Sequence, residues 1–291
     1  MKRINSLFFL TLSGLVFWAG LAIAQPQGEI RLLVRGDDIG SFTAANHACI
    51  ASCNQGIVRS LELMVPCAWF PEAVMLLNEN PAIDVGVHLT LTSEWTNCKW
   101  RPLTHAPSLT DEQGYFFPFI WPNRNQAGLS LQEAKWELRE IETEFRAQIE
   151  QAKKHVRNVT HISTHMGCAE WNEDIRSMLT ALAKEYGLFW EGNTTSWKRF
   201  PRMNVGNTDP VEKRIAAFIE ALGQLESGNT YLFVEHPGYD TPEMRKVGHP
   251  GYEHVAQDRD GVTKIFTDER VMETIRQKGI RLVSYGDLVE K

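Results

Sequence analysis

Beyond its first two dozen residues the chain has no apolar run long enough to cross a bilayer, so no span is expected there. It has no surplus of positive charge. Its 30 Lys and Arg face 36 Asp and Glu, for a formal net charge of −6. That balance argues against nucleic acid and anionic membrane surfaces as partners. It has no CxxC pair. Its cysteines are Cys49, Cys53, Cys67, Cys98 and Cys168, an odd set that cannot all pair within one chain. It has no internal repeat, no low-complexity tract and no linker-like stretch, so a single domain is expected.

What is present starts at the N-terminus. Met1-Lys2-Arg3 is a short basic region, Leu7 to Ala22 is almost wholly apolar, and Ala22-Ile23-Ala24 is a small-x-small cleavage signal. This reads as a secretory signal peptide with cleavage after Ala24, so a secreted or periplasmic protein is expected. Removal of Lys2 and Arg3 with it would take the formal charge from −6 to −8 and leave 267 of the 291 residues. That is enough chain for one large α/β domain. An oxidising compartment permits disulfides, though a domain of this size does not need them.

Strand-like and helix-like segments then alternate. Strands are expected from Ile30 to Asp37 and over 58–65, 83–91, 156–165, 231–236 and 280–284. Helices are expected over 42–54, with Ser41 as a cap, and over 71–80, 131–154, 172–186, 211–225 and 268–278. Residues 96–128, rich in Pro, Gly, Asn and aromatics, read as a long irregular excursion placed to cover a site. Such alternation implies a mainly parallel sheet. The candidates are a distorted, TIM-barrel-like (β/α) barrel and an open doubly wound sheet. Polar residues at four separate strand ends favour the barrel.

Those residues are Asp37-Asp38, His88, His165 and His236. An acid pair at the tip of an apolar strand is costly unless a metal ion or a reacting proton compensates it, although Asp and Gly also favour plain turns. His88 stands in an apolar strand two residues after Gly86, which suggests close backbone packing or a bulge. His161 and His165 have HxxxH spacing, which on a helix would turn both toward one ion. Their β-branched neighbours argue for a strand, where the two rings are roughly 13 Å apart at about 3.3 Å per residue. One is then a ligand and the other a support, and His165, nearer the strand's end, is the better ligand. His236 precedes a Pro-Gly turn and is presented at a rim. One acid and two imidazoles suit a divalent ion such as zinc. A second acid beside the ion can act as general base, and a histidine opposite as acid.

The motifs Asp37-Asp38-Ile39-Gly40, Gly86-Val87-His88-Leu89-Thr90-Leu91-Thr92, Pro107-Ser108-Leu109-Thr110-Asp111-Glu112-Gln113-Gly114-Tyr115-Phe116, Thr160-His161-Ile162-Ser163-Thr164-His165 and Glu235-His236-Pro237-Gly238-Tyr239 come in the order found in the YdjC-like, ChbG-type carbohydrate deacetylases, which the chain resembles. The resemblance implies a deacetylase domain over residues 25–291 and one divalent ion, magnesium or zinc. It implies removal of N-acetyl groups from acetylated amino sugars such as chitooligosaccharides. By position, Asp38, His88 and His165 would hold the metal, Asp37 would be the base, and His236 the acid or oxyanion partner. The chain departs from the family pattern where an acid in the fourth motif is Ser163 and where Arg35-Gly36 precedes the acid pair.

Sugar sites use aromatic platforms. The loop candidates are Trp69, Trp95, Trp100, Trp121 and Tyr239, with Trp95 and Tyr239 preferred. A homodimer is an open expectation. Two rivals stand beside this reading. One is a NodB-type polysaccharide deacetylase using both histidines of HxxxH. The other is an exported sugar-binding protein of the same fold without turnover. A phosphoesterase is disfavoured, since no basic phosphate clamp is evident.

Overall fold

The computed structural model describes residues 28–124, 126–194 and 196–288. The expected signal peptide and its cleavage point lie outside the described residues. In chain order the strands are β1 Ile30–Ile39, β2 Ser60–Leu63, β3 Asp84–Leu89, β4 Val159–Thr164, β5 Phe189–Trp190, β6 Lys198–Arg199, β7 Thr230–Glu235 and β8 Ile280–Val283. The α-helices are α1 Thr43–Asn54, α2 Phe70–Glu79, α3 Leu138–His155, α4 Glu173–Tyr186, α5 Val211–Gly223, α6 Val255–Phe266, α7 Glu269–Gln277 and α8 Tyr285–Leu288.

All the strand pairings are parallel and run in the order β5-β4-β3-β2-β1-β7-β6. β8 pairs with Ile30–Leu33 of β1, while β2 takes over from Arg35 onward. β7 already holds Arg31–Gly36, so β8 and β2 share the opposite edge. The sheet curls without closing, leaving a gap between β5 and β6. This is the expected distorted (β/α) barrel, opened along one side.

Alternation along β1 sorts its side chains. Leu32 and Val34 are fully buried in the main core between sheet and helices. Each such side chain contributes about 1.5–3 kcal/mol by leaving water. Leu33 faces the other way, into a small second core with Val283 and Tyr285, against which Trp197, Phe189 and Leu232 pack. Arg35 and Asp37 continue that inward row above it. The barrel interior is thus plugged with apolar groups at the start of the strands and becomes polar toward their C-terminal ends.

Several boundaries differ from the sequence expectation, for local reasons. Helix α3 starts at Leu138, not Leu131. The amides of Leu131 and Gln132 bond the carbonyls of Phe119 and Ile120 in the excursion, and the Glu137 amide bonds Ser108 Oγ, so this stretch is tied to the loop. Ser41 does not cap α1, because its hydroxyl donates to the Asp38 carbonyl instead. Helix α6 was not expected at all, and β5 and β6, at two residues each, are too short to show an alternation. Asn172, by contrast, caps α4 by accepting from the Asp174 and Ile175 amides. Asn172→Ala is therefore expected to lower the unfolding free energy by about 1 kcal/mol in a urea titration, with the slope unchanged.

Candidate metal centre and its buried acids

Between Gly36 and Ile39 the β1 backbone takes three steps while β2 takes two, from Leu61 to Leu63. One extra residue in one strand is a β-bulge. Asp38 sits in it with φ at 72°, a left-handed conformation. Adjacent strand residues normally point to opposite faces, but here both Asp37 and Asp38 turn inward. The acid pair therefore does not sit at the tip of the strand, as expected from the sequence; β1 runs on to Ile39, and a bulge within it turns both acids to one side. Gly40 (φ 104°) completes the turn, and a Cβ there would stand 2.6 Å from the Met64 carbonyl oxygen. The other non-glycine residue with positive φ among the described residues is Met166, directly after His165. Left-handed backbone thus occurs in the site at Asp38 on β1 and beside it in the turn that follows β4.

Asp38, His88 and His165 come together with one potential ligand atom each, all within 4.8 Å of one another. Asp38 Oδ1 lies 3.6 Å from His88 Nε2 and 3.4 Å from His165 Nδ1. All three residues are buried, and Asp38 Oδ1 has no hydrogen-bond partner. A buried carboxylate oxygen left unsatisfied costs free energy unless a cation meets it. One carboxylate oxygen and two imidazole nitrogens form a donor set that fits a divalent ion. Three of the sequence-predicted residues thus form a possible metal site. His161 does not join it: 161–164 is strand, and only His165, which opens the following turn, reaches Asp38. The NodB-type use of both histidines is not built here.

Each group in the triad has its own support. Arg259 of α6 donates from Nη2 to Asp38 Oδ2 at 2.7 Å, which leaves Oδ1 for the site. Burial opposes ionisation of Asp38, but Arg259, with His236 and His165, outweighs it and holds the carboxyl well below its usual range. His165 Nε2 faces Glu94 Oε2 at 3.2 Å. Burial would lower the His165 pKa, yet Glu94 and Asp38 lift it to about 10. The position between those acids calls for a positive charge, whether proton or metal ion. His88 is held well below the usual histidine range, first by burial and then by His165, and is therefore neutral, the form that binds metal.

Asp37 is kept apart from the triad by Arg35. The guanidinium grips it as a fork, Nε to Oδ1 at 2.7 Å and Nη2 to Oδ2 at 3.0 Å. Arg35 Nη1 in turn donates to Glu191 at 2.8 Å and meets the Tyr285 hydroxyl at 3.0 Å. Burial lifts the Asp37 carboxyl to about 6 against the pull of Arg35. Asp37 Oδ2 lies 3.7 Å from His88 Nε2, beside the triad and outside it.

His236, at the end of β7, is the exposed member, with 40 % of its side chain accessible. Burial lowers its pKa, but Asp38 and Glu235 raise it by more, and the net shift is upward. Of the expected sugar platforms, Trp95 is 2 % exposed and packs against His249 and Arg259, so it has no free face. Its place is behind Arg259, as part of the wall. Tyr239 is 38 % exposed and lines a groove along α1 with Thr43 and His47. A cleft of about 560 Å³ opens at the gap between β5 and β6, lined by Arg35, Glu191, Trp197, Leu232 and Val234.

Sequence reasoning missed Glu62, Glu94 and Arg259. Glu62 had a signal, a lone acid inside the apolar run Ser60-Leu61-Glu62-Leu63. Arg259 lies in a segment whose apolar residues, Val255, Val262, Ile265 and Phe266, do have helical spacing.

The YdjC-like protein family matches this chain over residues 31–277. The chain belongs to that family. It is 36 % identical over 241 residues to a carbohydrate deacetylase of Thermus thermophilus, covering 75 % of this chain and 81 % of the relative. It is 33 % identical over 134 residues to a chitooligosaccharide deacetylase of Yersinia enterocolitica, covering 46 % and 51 % of the two chains. A solved structure described as a cellobiose-phosphate cleavage protein from Enterococcus faecalis superimposes with a TM-score of 0.71, at 23 % identity over 90 % of this chain and all of that one. The last comparison bears on the fold alone. Family and relatives together bear out the expected enzyme class, a hydrolase of the deacetylase type.

Two measurements follow from this geometry. His88→Ala and His165→Ala should each reduce zinc retained after equilibrium dialysis from about one ion per chain to near none; full retention in both would remove the triad as the site. A Cβ at Gly86 would stand 2.3 Å from Glu62 Oε2 and 2.4 Å from His161 Nε2. Gly86→Ala is therefore expected to cost about 1–3 kcal/mol in thermal unfolding, the usual range for overpacking.

Proposed function

We propose that this protein is a metal-dependent deacetylase that hydrolyses the N-acetyl groups of acetylated amino sugars, with oligosaccharides of the chitooligosaccharide type as the substrate class. The observation that carries the reading is the partnerless Asp38 Oδ1, aimed at two imidazole nitrogens with a second, separately held carboxylate beside it. The names of the relatives support the substrate class. The signal-like N-terminus of the sequence adds export to the proposal, so the sugar is met outside the cytoplasm.

Asp38, His88 and His165 would hold the ion, and two imidazoles with one carboxylate favour zinc over magnesium, which prefers oxygen ligands. When bound, it supplies Lewis acidity toward the amide carbonyl and the attacking water. The remaining steps belong to the chain. Asp37, oriented by Arg35, takes a proton from the water as its oxygen adds to the amide carbon. His236, at the rim and biased toward its protonated form, gives a proton to the nitrogen as the C–N bond breaks. Acetate and the free amine leave. The cleft between β5 and β6 gives the sugar a place beside Arg35, the residue that grips Asp37, with Trp197 and Leu232 as apolar wall and Glu191 as an acceptor for hydroxyls.

The test is acetate release from a panel of N-acetylated sugars by the zinc-loaded protein. Asp37→Asn should lower kcat by about 10²-fold or more, the usual worth of general base help, while retaining its zinc. Equal release by wild type and Asp37→Asn, or none from any acetylated sugar, would defeat the reading.

A further inference from the structure

The outer atoms of Asp38 and His165 meet charged partners directly, in Arg259 and Glu94. His88 meets a hydroxyl. Its Nδ1 lies 2.7 Å from Ser163 Oγ, its cross-strand neighbour in the β3–β4 register. Ser163 Oγ in turn donates to Glu62 Oε2. Glu62 comes from β2, on the far side of β3 from Ser163, and it is paired in register with Gly86. The two side chains meet across Gly86 because that residue has none of its own. Glu62 is itself pinned, since His161 Nε2 lies 2.6 Å from its Oε1, the His161 ring stacks on Tyr285 at 3.8 Å, and Arg35 Nε is 3.9 Å away.

Counting protons assigns the directions. An ionised carboxylate only accepts, and a hydroxyl has one proton to give. Ser163 gives its proton to Glu62, so toward His88 it can only accept. His88 must then carry its proton on Nδ1, and its Nε2 lone pair is left facing Asp38 Oδ1. The reverse assignment would set the lone pairs of Ser163 and Glu62 against each other in a fully buried site.

We propose that Glu62, acting through the Ser163 hydroxyl, is a positioning residue for His88, fixing its ring orientation and its tautomer so that Nε2 faces the metal site. The relay puts a carboxylate's influence at the strand position where the family motif carries an acid and this chain carries Ser163. The inference rests on the metal reading of the triad, not on the identity of the sugar.

Two readouts test it without reference to turnover. In the metal-free, full-length protein at pH 8, long-range nitrogen–proton NMR of the histidine rings should show His88 protonated at Nδ1. Any other form of His88 overturns the relay, and this measurement needs no variant. Zinc affinity, read by competition with a chromophoric chelator, should fall about 10–100-fold in Ser163→Ala, the usual cost of losing a group that orients a metal-binding histidine. Ser163→Thr, which keeps the hydroxyl, should retain the wild-type tautomer and most of the affinity. Unchanged affinity in Ser163→Ala, or an equal loss in Ser163→Thr, overturns the proposal. If instead zinc binds wild type and Ser163→Ala as expected but no acetylated sugar is cleaved, the deacetylase reading fails and the relay stands.

Discussion

One additional residue in β1, set against β2, turns two adjacent carboxylates into the same barrel interior. The rest of the site answers to the charge gathered there. Asp37, Asp38, Glu62 and Glu94 are all buried, and a buried carboxylate without a partner costs several kcal/mol even after relaxation. Each has a specific cation or imidazole against it: Arg35, Arg259, His161 and His165. Asp38 Oδ1 is left without a hydrogen-bond partner, as are Nε and Nη1 of the adjoining Arg259. The fold thus sets an opposite charge or an imidazole against each of these acids and leaves one oxygen facing two imidazole nitrogens, a donor set that fits a divalent ion.

The division of the acid pair follows from which arginine reaches which acid. Arg35 stands two residues before Asp37 on the same strand face, so alternation alone brings them together. Arg259 reaches Asp38 from α6, more than two hundred residues away in sequence. Asp37 is gripped on both oxygens by one fork and Asp38 on only one, the difference on which the proposed division into ligand and proton acceptor rests. Ion pairing explains the buried arginines but not the unpaired oxygen of Asp38, nor the left-handed backbone at Asp38 and Met166.

The open side of the barrel is also part of the design. β5 and β6 are two-residue strands, and between them the sheet stops. A cleft at that gap reaches Arg35 and Glu191 at the edge of the polar interior, and Trp197 and Leu232, which line it, also form the boundary of the small lower core. An apolar floor under a polar mouth confines the charged network to the upper half of the barrel.

The resemblance to the family implied the triad Asp38, His88 and His165; the sequence by itself determined the parallel α/β layout and the preference for His165 over His161. These are local signals: strand alternation, β-branched neighbours, and polar residues placed at strand ends. The order of motifs along the chain determined the family. Only the tertiary structure decided how the charges are balanced. Glu62 and Ser163 meet across a third strand, Glu94 and Arg259 arrive from a loop and an unexpected helix, and the buried Trp95 loses the role its loop position suggested. No spacing along the chain encodes those meetings. They depend on register between non-adjacent strands and on a one-residue bulge, which neither composition nor periodicity records.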